Sequence, residues 1–266
     1  NYKKAFPAAL AVEVFHNFSL IHDDIMDSAP LRRGNPTVHH RWNENIGILS
    51  GDAMLIQAYS FIDEYPNDIY REIMKLFNKT AIEVCEGQQY DMDFEQVQDV
   101  TLEQYVEMIQ LKTAVLLASA FEIGAIIGKA SVEDRKSIYQ FGLNLGLAFQ
   151  IQDDYLDTFG NAQTFGKQIG GDILENKKTY LYLVALKNSN QHEQNILKNH
   201  YQNNNPTDKI KNVTQFFIDK NIPELAQQTI ESYTKLCLTF VDKLSISTSN
   251  KQQLKELGIN LMNRSV

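Results

Sequence analysis

Residues 6–27 read FPAALAVEVFHNFSLIHDDIMD. Leu10, Val14, Phe15, Phe18 and Ile21 recur at helical spacing, so the stretch predicts one amphipathic helix over Phe6–Ile25. It ends in three aspartates spaced Asp-Asp-x-x-Asp: Asp23, Asp24 and Asp27. The spacing returns at Asp153, Asp154 and Asp157, again after an apolar run, in FQIQDDYLD. On a helix the first and last Asp of each triplet stand at i and i+4 and share one face. Like charges there destabilise the helix, and carboxylates at a helix C-terminus oppose its dipole. A solvated helix end would explain one such triplet; two at the same spacing call for a compensating cation. Ligands that are all oxygen select Mg2+, Mn2+ or Ca2+, and Mg2+ keeps waters and is completed by substrate phosphates. The expected partner is therefore a phosphorylated ligand.

Outward from these triplets the chain reads as helix. Thirteen Gly and six Pro in 266 residues are few, and these are the main helix breakers. After a break at residues 28–36, helices are predicted over Asn45–Glu64 and Ile69–Tyr90. A long one follows from a Thr101/Gln104 capping box to Ile127, and another runs from Ser131 to Leu156. Residues 158–172 hold four of the glycines and read as a functional loop, with helices resuming near Thr179. Strand alternation and a break in composition are both missing from the pattern. The expectation is an all-α fold, a single-domain helical bundle around a central cavity.

Composition removes other classes. Hydrophobic residues at 43% and charged residues at 22% exclude disordered and collagen-like chains. Cys85 and Cys237 are far apart and read as two small buried thiols, which excludes zinc ribbons and disulfide frameworks. A formal charge of -8 argues against nucleic acid as partner. No uninterrupted apolar run approaches the length of a membrane span and Asn1-Tyr-Lys-Lys lacks a signal-peptide pattern, so a cytoplasmic location is expected. Cations sit where an anionic ligand needs them: Arg32-Arg33, Lys112, Lys167 and Lys177-Lys178. Six carboxylates and about three Mg2+ balance, leaving a diphosphate of roughly -3 for these cations to neutralise.

The sequence resembles the trans-isoprenyl diphosphate (polyprenyl) synthases over essentially its whole length. FSLIHDDIMD followed by LRRGNPTVH is similar to the family's first aspartate-rich motif with its paired arginines. FQIQDDYLD followed by GKQIGGDILENKKTYL is similar to the second, with its lysine-bearing loop. Glu86–Asp91 (EGQQYD) and Leu111-Lys112-Thr113 match two further segments in the right order. The resemblance implies the isoprenoid synthase fold, a homodimer, and isopentenyl and allylic diphosphates as substrates. It implies that Asp23 and Asp27 coordinate two Mg2+ and Asp153 a third, with Mn2+ able to substitute, and that Asp24, Asp154 and Asp157 act through water. Arg32, Lys112, Thr113, Gln150, Lys167 and Lys177 would contact the allylic diphosphate or the cation formed from it. Lys112, Thr113 and Gln150 would be catalytic, offering oxygen dipoles to that cation. His16 and Arg33 would face isopentenyl diphosphate. Each also has a bland reading: a satisfied core histidine, a solvated arginine pair, a snorkelling lysine, a helix–helix glutamine bond.

The family's Gly-Gly-Lys-x-x-Arg segment, which precedes the first motif, is missing from these 266 residues. The chain starts without Met inside a predicted helix, so residues 1–266 are expected to be one synthase domain lacking its N-terminal helices. Product length in the family is limited upstream of the first Asp. Ser19 and Phe15 lie about 6 and about 12 Å along the helix from Asp23, with Phe18 between them. Small Ser19 leaves the first level partly open, Phe18 narrows it and Phe15 closes the next, which favours a C20 over a C15 product. A terpene cyclase would not normally carry the second triplet. A di-iron bundle needs a second partner for Glu13-x-x-His16. A noncatalytic synthase subunit usually has eroded triplets, and both are intact here.

Overall fold

Helix starts fall where side chains can cap them. In the computed structural model, which describes residues 2–97, 99–160 and 169–262, Thr101 accepts the Gln104 amide and Gln104 returns the bond, opening α5 (Leu102–Ile109). Ser131 caps α7 (Val132–Phe159), Asn43 caps α3 (Glu44–Ile62) and Asn205 precedes the Pro206 that begins α11 (Pro206–Asp219). The other helices are α1 (Phe6–Met26), α2 (Val38–Arg41), α4 (Asn67–Gln96), α6 (Val115–Ile127), α8 (Gly171–Leu174), α9 (Tyr180–Lys187), α10 (Gln191–Tyr201), α12 (Ile222–Asp242) and α13 (Thr248–Met262). The all-α expectation holds.

Three apolar clusters support the bundle. Phe15, Phe18, Ile62, Phe77 and Ile123 join α1, α3, α4 and α6. Phe141, Leu145, Cys237, Val241 and Met262 join α7 to α12 and α13. Tyr105, Ile151, Leu181, Phe217 and Ile222 join α5, α7, α9, α11 and α12. Helix α7 contributes to the last two, so its C-terminal end, which bears the second triplet, is anchored on several sides.

Four features depart from the sequence reading. The helix expected over Thr101–Ile127 is interrupted by a π turn at Gln110–Ala114. The turn is squeezed from both sides: a Cβ on Gly87 of α4 would lie 2.2 Å from the Lys112 nitrogen, and one on Gly146 of α7 2.6 Å from the Ala114 Cα. Residues 28–36 are not merely a break. Leu31–Arg32 pairs antiparallel with Asn35–Pro36, turned by Arg33 (φ 52) and Gly34 (φ 76), as a two-residue hairpin with both central residues left-handed requires. Cys237 is buried but Cys85 is exposed on α4. Leu102–Ile127 is also apolar and long enough to cross a membrane, with mean hydropathy 1.5, although polar residues interrupt its apolar runs. Here the π turn divides it, and Val115, Ala118, Ile123 and Ile126 are buried in the bundle.

Candidate active site

The first triplet occupies the last turn of α1, with Asp27 as its C-cap. The hairpin folds Arg32 back onto it: Nε donates to Asp24 Oδ1 at 2.6 Å and Nη2 to Asp23 Oδ2 at 2.9 Å. From the π turn, Lys112 Nζ donates to Asp23 Oδ1 at 3.1 Å and to Asp91 Oδ2 of α4 at 2.5 Å. Burial disfavours the Lys112 ammonium, but Asp91 and Asp23 outweigh it and hold its pKa above the usual lysine value. Partial desolvation and the Asp23 charge push Asp27 up to about 6, although its outer side is open to solvent. These carboxylates are crowded and drawn to cations.

The second triplet lies in the last turns of α7 and is held differently. Asp154 is 5% exposed. Its Oδ2 accepts the Tyr180 backbone N–H at 2.9 Å and the Tyr105 hydroxyl, and its Oδ1 accepts from Gln150 Nε2 at 3.3 Å. Burial still raises its pKa, against these hydrogen bonds. Asp157 Oδ2 accepts the Asp172 N–H at 3.1 Å, and its carbonyl accepts the Gly170 N–H at 2.6 Å. Asp153 lines a cavity of about 190 Å³ together with Asp91, Lys112, Thr113, Gln150, Asp172 and Lys177. Thr113 Oγ1 donates to Gln150 Oε1 at 3.1 Å. Lys177 pairs with Glu175 at 3.1 Å; burial opposes its charge, while Glu175, Asp172 and Asp27 raise its pKa.

Protein donors hold Asp24 Oδ1, both carboxylate oxygens of Asp154 and Asp157 Oδ2: the hairpin covers Asp24, α5 and α9 pack over Asp154, and the chain at the start of α8 folds onto Asp157. Asp23, Asp27, Asp153, Lys112, Thr113, Gln150, Arg32 and Lys177 gather around the cavity and the α1 terminus. His16 lies two turns earlier on α1; burial lowers its pKa, Glu13 opposes this, and Arg33 and Arg32 add to it, so the hairpin cations lie within electrostatic reach. Arg33 is exposed at the hairpin turn. Phe15 and Phe18 are buried with ring centroids 5.5 Å apart, and Ser19 Oγ donates to the His16 carbonyl at 2.8 Å. Lys167 lies outside the described residues.

Sequence reasoning missed Asp91, Asp172 and Tyr105 as parts of the site. Asp91 closed the EGQQYD segment but carried no role. Asp172 is pushed well above the usual carboxylate range by burial and by the charges of Asp157 and Asp154. Tyr105 comes from a different helix, 49 residues before Asp154.

The donor set fits a hard divalent cation. The charged ligand atoms offered around the cavity are carboxylates, and Asp27 carries a pKa raised by partial burial and by its like-charged neighbour Asp23. Among the described residues no three carboxylates, imidazoles or thiolates converge as a complete cage. Mg2+ suits that arrangement because it takes its remaining ligands from water and phosphate.

Comparison with known proteins bears on the same residues. The family model described as Polyprenyl synthetase matches residues 1–217. A short chain isoprenyl diphosphate synthase of Methanocaldococcus jannaschii is 40% identical over 208 residues, 78% of this chain and 63% of that protein. A geranylfarnesyl diphosphate synthase of Natronomonas pharaonis is 43% identical over 180 residues, 67% of this chain and 53% of that protein. The chain therefore spans less than two thirds of either relative. A crystal structure of a geranylgeranyl pyrophosphate synthase superposes with a TM-score of 0.95 at 47% identity, over 100% of this chain and 83% of that one. Both triplets fall inside the matched residues, and the chain belongs to the polyprenyl synthetase family.

Proposed function

We propose that the protein is a Mg2+-dependent trans-prenyltransferase. It joins isopentenyl diphosphate to a dimethylallyl, geranyl or farnesyl diphosphate and releases a short-chain product, C20 in this reading. The observation that carries it is the pair of aspartate triplets at the ends of α1 and α7, with Lys112, Thr113 and Gln150 beside the cavity next to them.

Asp23, Asp27 and Asp153 would hold the metal ions, three in all. Bound Mg2+ supplies charge neutralisation to the departing diphosphate. Arg32 and Lys112, paired with Asp23 in the structure, are long and cationic enough to shift to phosphate oxygens, with Lys177 beside the cavity after α8 and Lys167 as a further contact in this reading. The allylic C–O bond breaks and its electron pair leaves with diphosphate. The Lys112 carbonyl, Thr113 hydroxyl and Gln150 amide oxygen face the allylic cation with their dipoles. The double bond of isopentenyl diphosphate, held by His16 and Arg33, supplies the electrons of the new C–C bond. The carbon next to the cation that this leaves then gives up a proton to the departed diphosphate, and the electrons of that C–H bond form the new double bond.

Phe15 supports the C20 assignment. It meets Phe77 of α4 edge-on at 5.3 Å, and Phe77 meets Tyr59 of α3 at 5.2 Å, giving an aromatic floor below Phe18. A homodimer is part of the reading, and the exposed Leu49, Ala53 and Ile56 on one stripe of α3 offer an apolar face for it. The test is incubation with Mg2+, isopentenyl diphosphate and each primer, followed by product sizing. A C20 product from the longest accepted primer is expected. No product with any primer rejects the reading; a C15 or C25 product rejects only the length.

A further inference from the structure

Asn176 follows α8 with φ 60, in the left-handed region that few residues other than Gly adopt and Asn tolerates best. The next residue is Lys177. Behind this turn stands Lys209 of α11, only 5% exposed. Its Nζ donates to the Leu174 carbonyl at 3.1 Å and to Asn176 Oδ1 at 2.8 Å, with the Tyr201 ring centroid 5.9 Å away. Among the described residues these partners are all neutral. Burying an ammonium without a carboxylate is costly, and a surface helix position would avoid that cost. The adjacent residue shows the same close docking: Gly170, at φ 80, lies so near Ile210 that a Cβ there would be 2.9 Å from its side chain. Two successive residues of α11 thus press on the segment that carries Asp172 and Lys177. From the other side Lys178 anchors the segment, donating to the Phe94 carbonyl at 2.5 Å and the Glu95 carbonyl at 3.3 Å at the end of α4.

We propose that Lys209 is a positioning residue for Lys177: its ammonium joins the Leu174 carbonyl to the Asn176 side chain and so fixes the left-handed turn that presents Lys177 to the cavity. The proposal rests on the reading of Lys177 as a contact to the allylic diphosphate. Lys209 itself touches no substrate.

The test uses the whole chain with Lys209→Met, Lys209→Arg and Asn176→Gly, read by steady-state kinetics and by hydrogen exchange. Lys209→Met is expected to raise KM for the allylic diphosphate about tenfold while KM for isopentenyl diphosphate moves less than about twofold. Exchange should accelerate in residues 171–179 and not in α1 or α4. Asn176→Gly keeps the left-handed turn but removes one partner of the ammonium, so it should show a smaller effect of the same kind. Lys209→Arg, which keeps the charge and the donors, should recover part of the loss. Equal changes in both KM values, a fall in kcat alone, or exchange that accelerates throughout the chain would overturn the proposal, since each reports general destabilisation. Should Lys209→Met fail to fold, Asn176→Gly and Lys209→Arg decide by the same criteria. A wild-type chain that turns over no primer would sink the prenyl-transfer reading, while the exchange pattern would still decide whether Lys209 fixes the turn.

Discussion

The two aspartate triplets have one spacing and two environments. At the end of α1, Asp23 and Asp24 are held by side-chain cations that can move away, and Asp27 is open to solvent. At the end of α7, Asp154 is bound by a tyrosine hydroxyl, a backbone amide and a glutamine, and Asp157 by another backbone amide. In the proposed function Arg32 and Lys112, held only through flexible side chains, exchange for metal and phosphate without disturbing the fold. The Tyr180 amide cannot leave Asp154 without unseating the start of α9. The motif at α1 thus reads as exchangeable charge, and the motif at α7 as Asp153, a metal ligand only in the proposed function, set beside two fixed braces.

That contrast can be broken experimentally. The largest effect is expected from Asp23→Asn, which should lower prenyl transfer by about a thousandfold or more while leaving the melting temperature nearly unchanged; chelation of Mg2+ should abolish turnover in the wild type. Asp154→Ala should do the reverse in its first consequence. It strands the Tyr105 hydroxyl and the Tyr180 N–H in a buried place, and urea unfolding should show a loss of about 3 kcal/mol. If Asp23→Asn unfolded the chain as readily as Asp154→Ala, the division between exchangeable and fixed carboxylates would be wrong. Phe15→Ala combined with Phe18→Ala should lengthen the product by one or more five-carbon units, and unchanged chromatograms would remove both rings from the floor. Smallest of all, Tyr105→Phe deletes one hydrogen bond to Asp154 and should cost about 1 kcal/mol in the same unfolding experiment, with little change in KM.

The helical class and both triplets were legible because they depend on local chemistry. Caps at Thr101 and Ser131 and the i, i+4 spacing of Asp23 with Asp27 are read within one turn of chain. What escaped depends on residues far apart. The π turn follows from Gly87 and Gly146, on different helices, allowing the chain between them to approach too closely for side chains. The brace at Asp154 needs Tyr105 and Tyr180, and the cation behind Asn176 comes from α11. The hairpin at Leu31–Pro36 is too short for any alternation to show, and only the Arg33-Gly34 pair hinted at its turn. Cys85 was misplaced because small size favours burial without requiring it.

The π turn at Gln110–Ala114 also has a consequence for how this chain can vary. It is in effect one residue inserted into a continuous helix, and each residue adds about 100° of rotation. Helices α5 and α6 are therefore out of phase with each other by one position. Tyr105 can point at Asp154 while Ala114 and Ala118 press flat against the glycines of α7. Deleting any single residue between 110 and 114 would bring the helix back into phase and turn one of those two faces away from its partner. The length of the turn is therefore set by the two faces it aligns, independently of what Lys112 and Thr113 do within it.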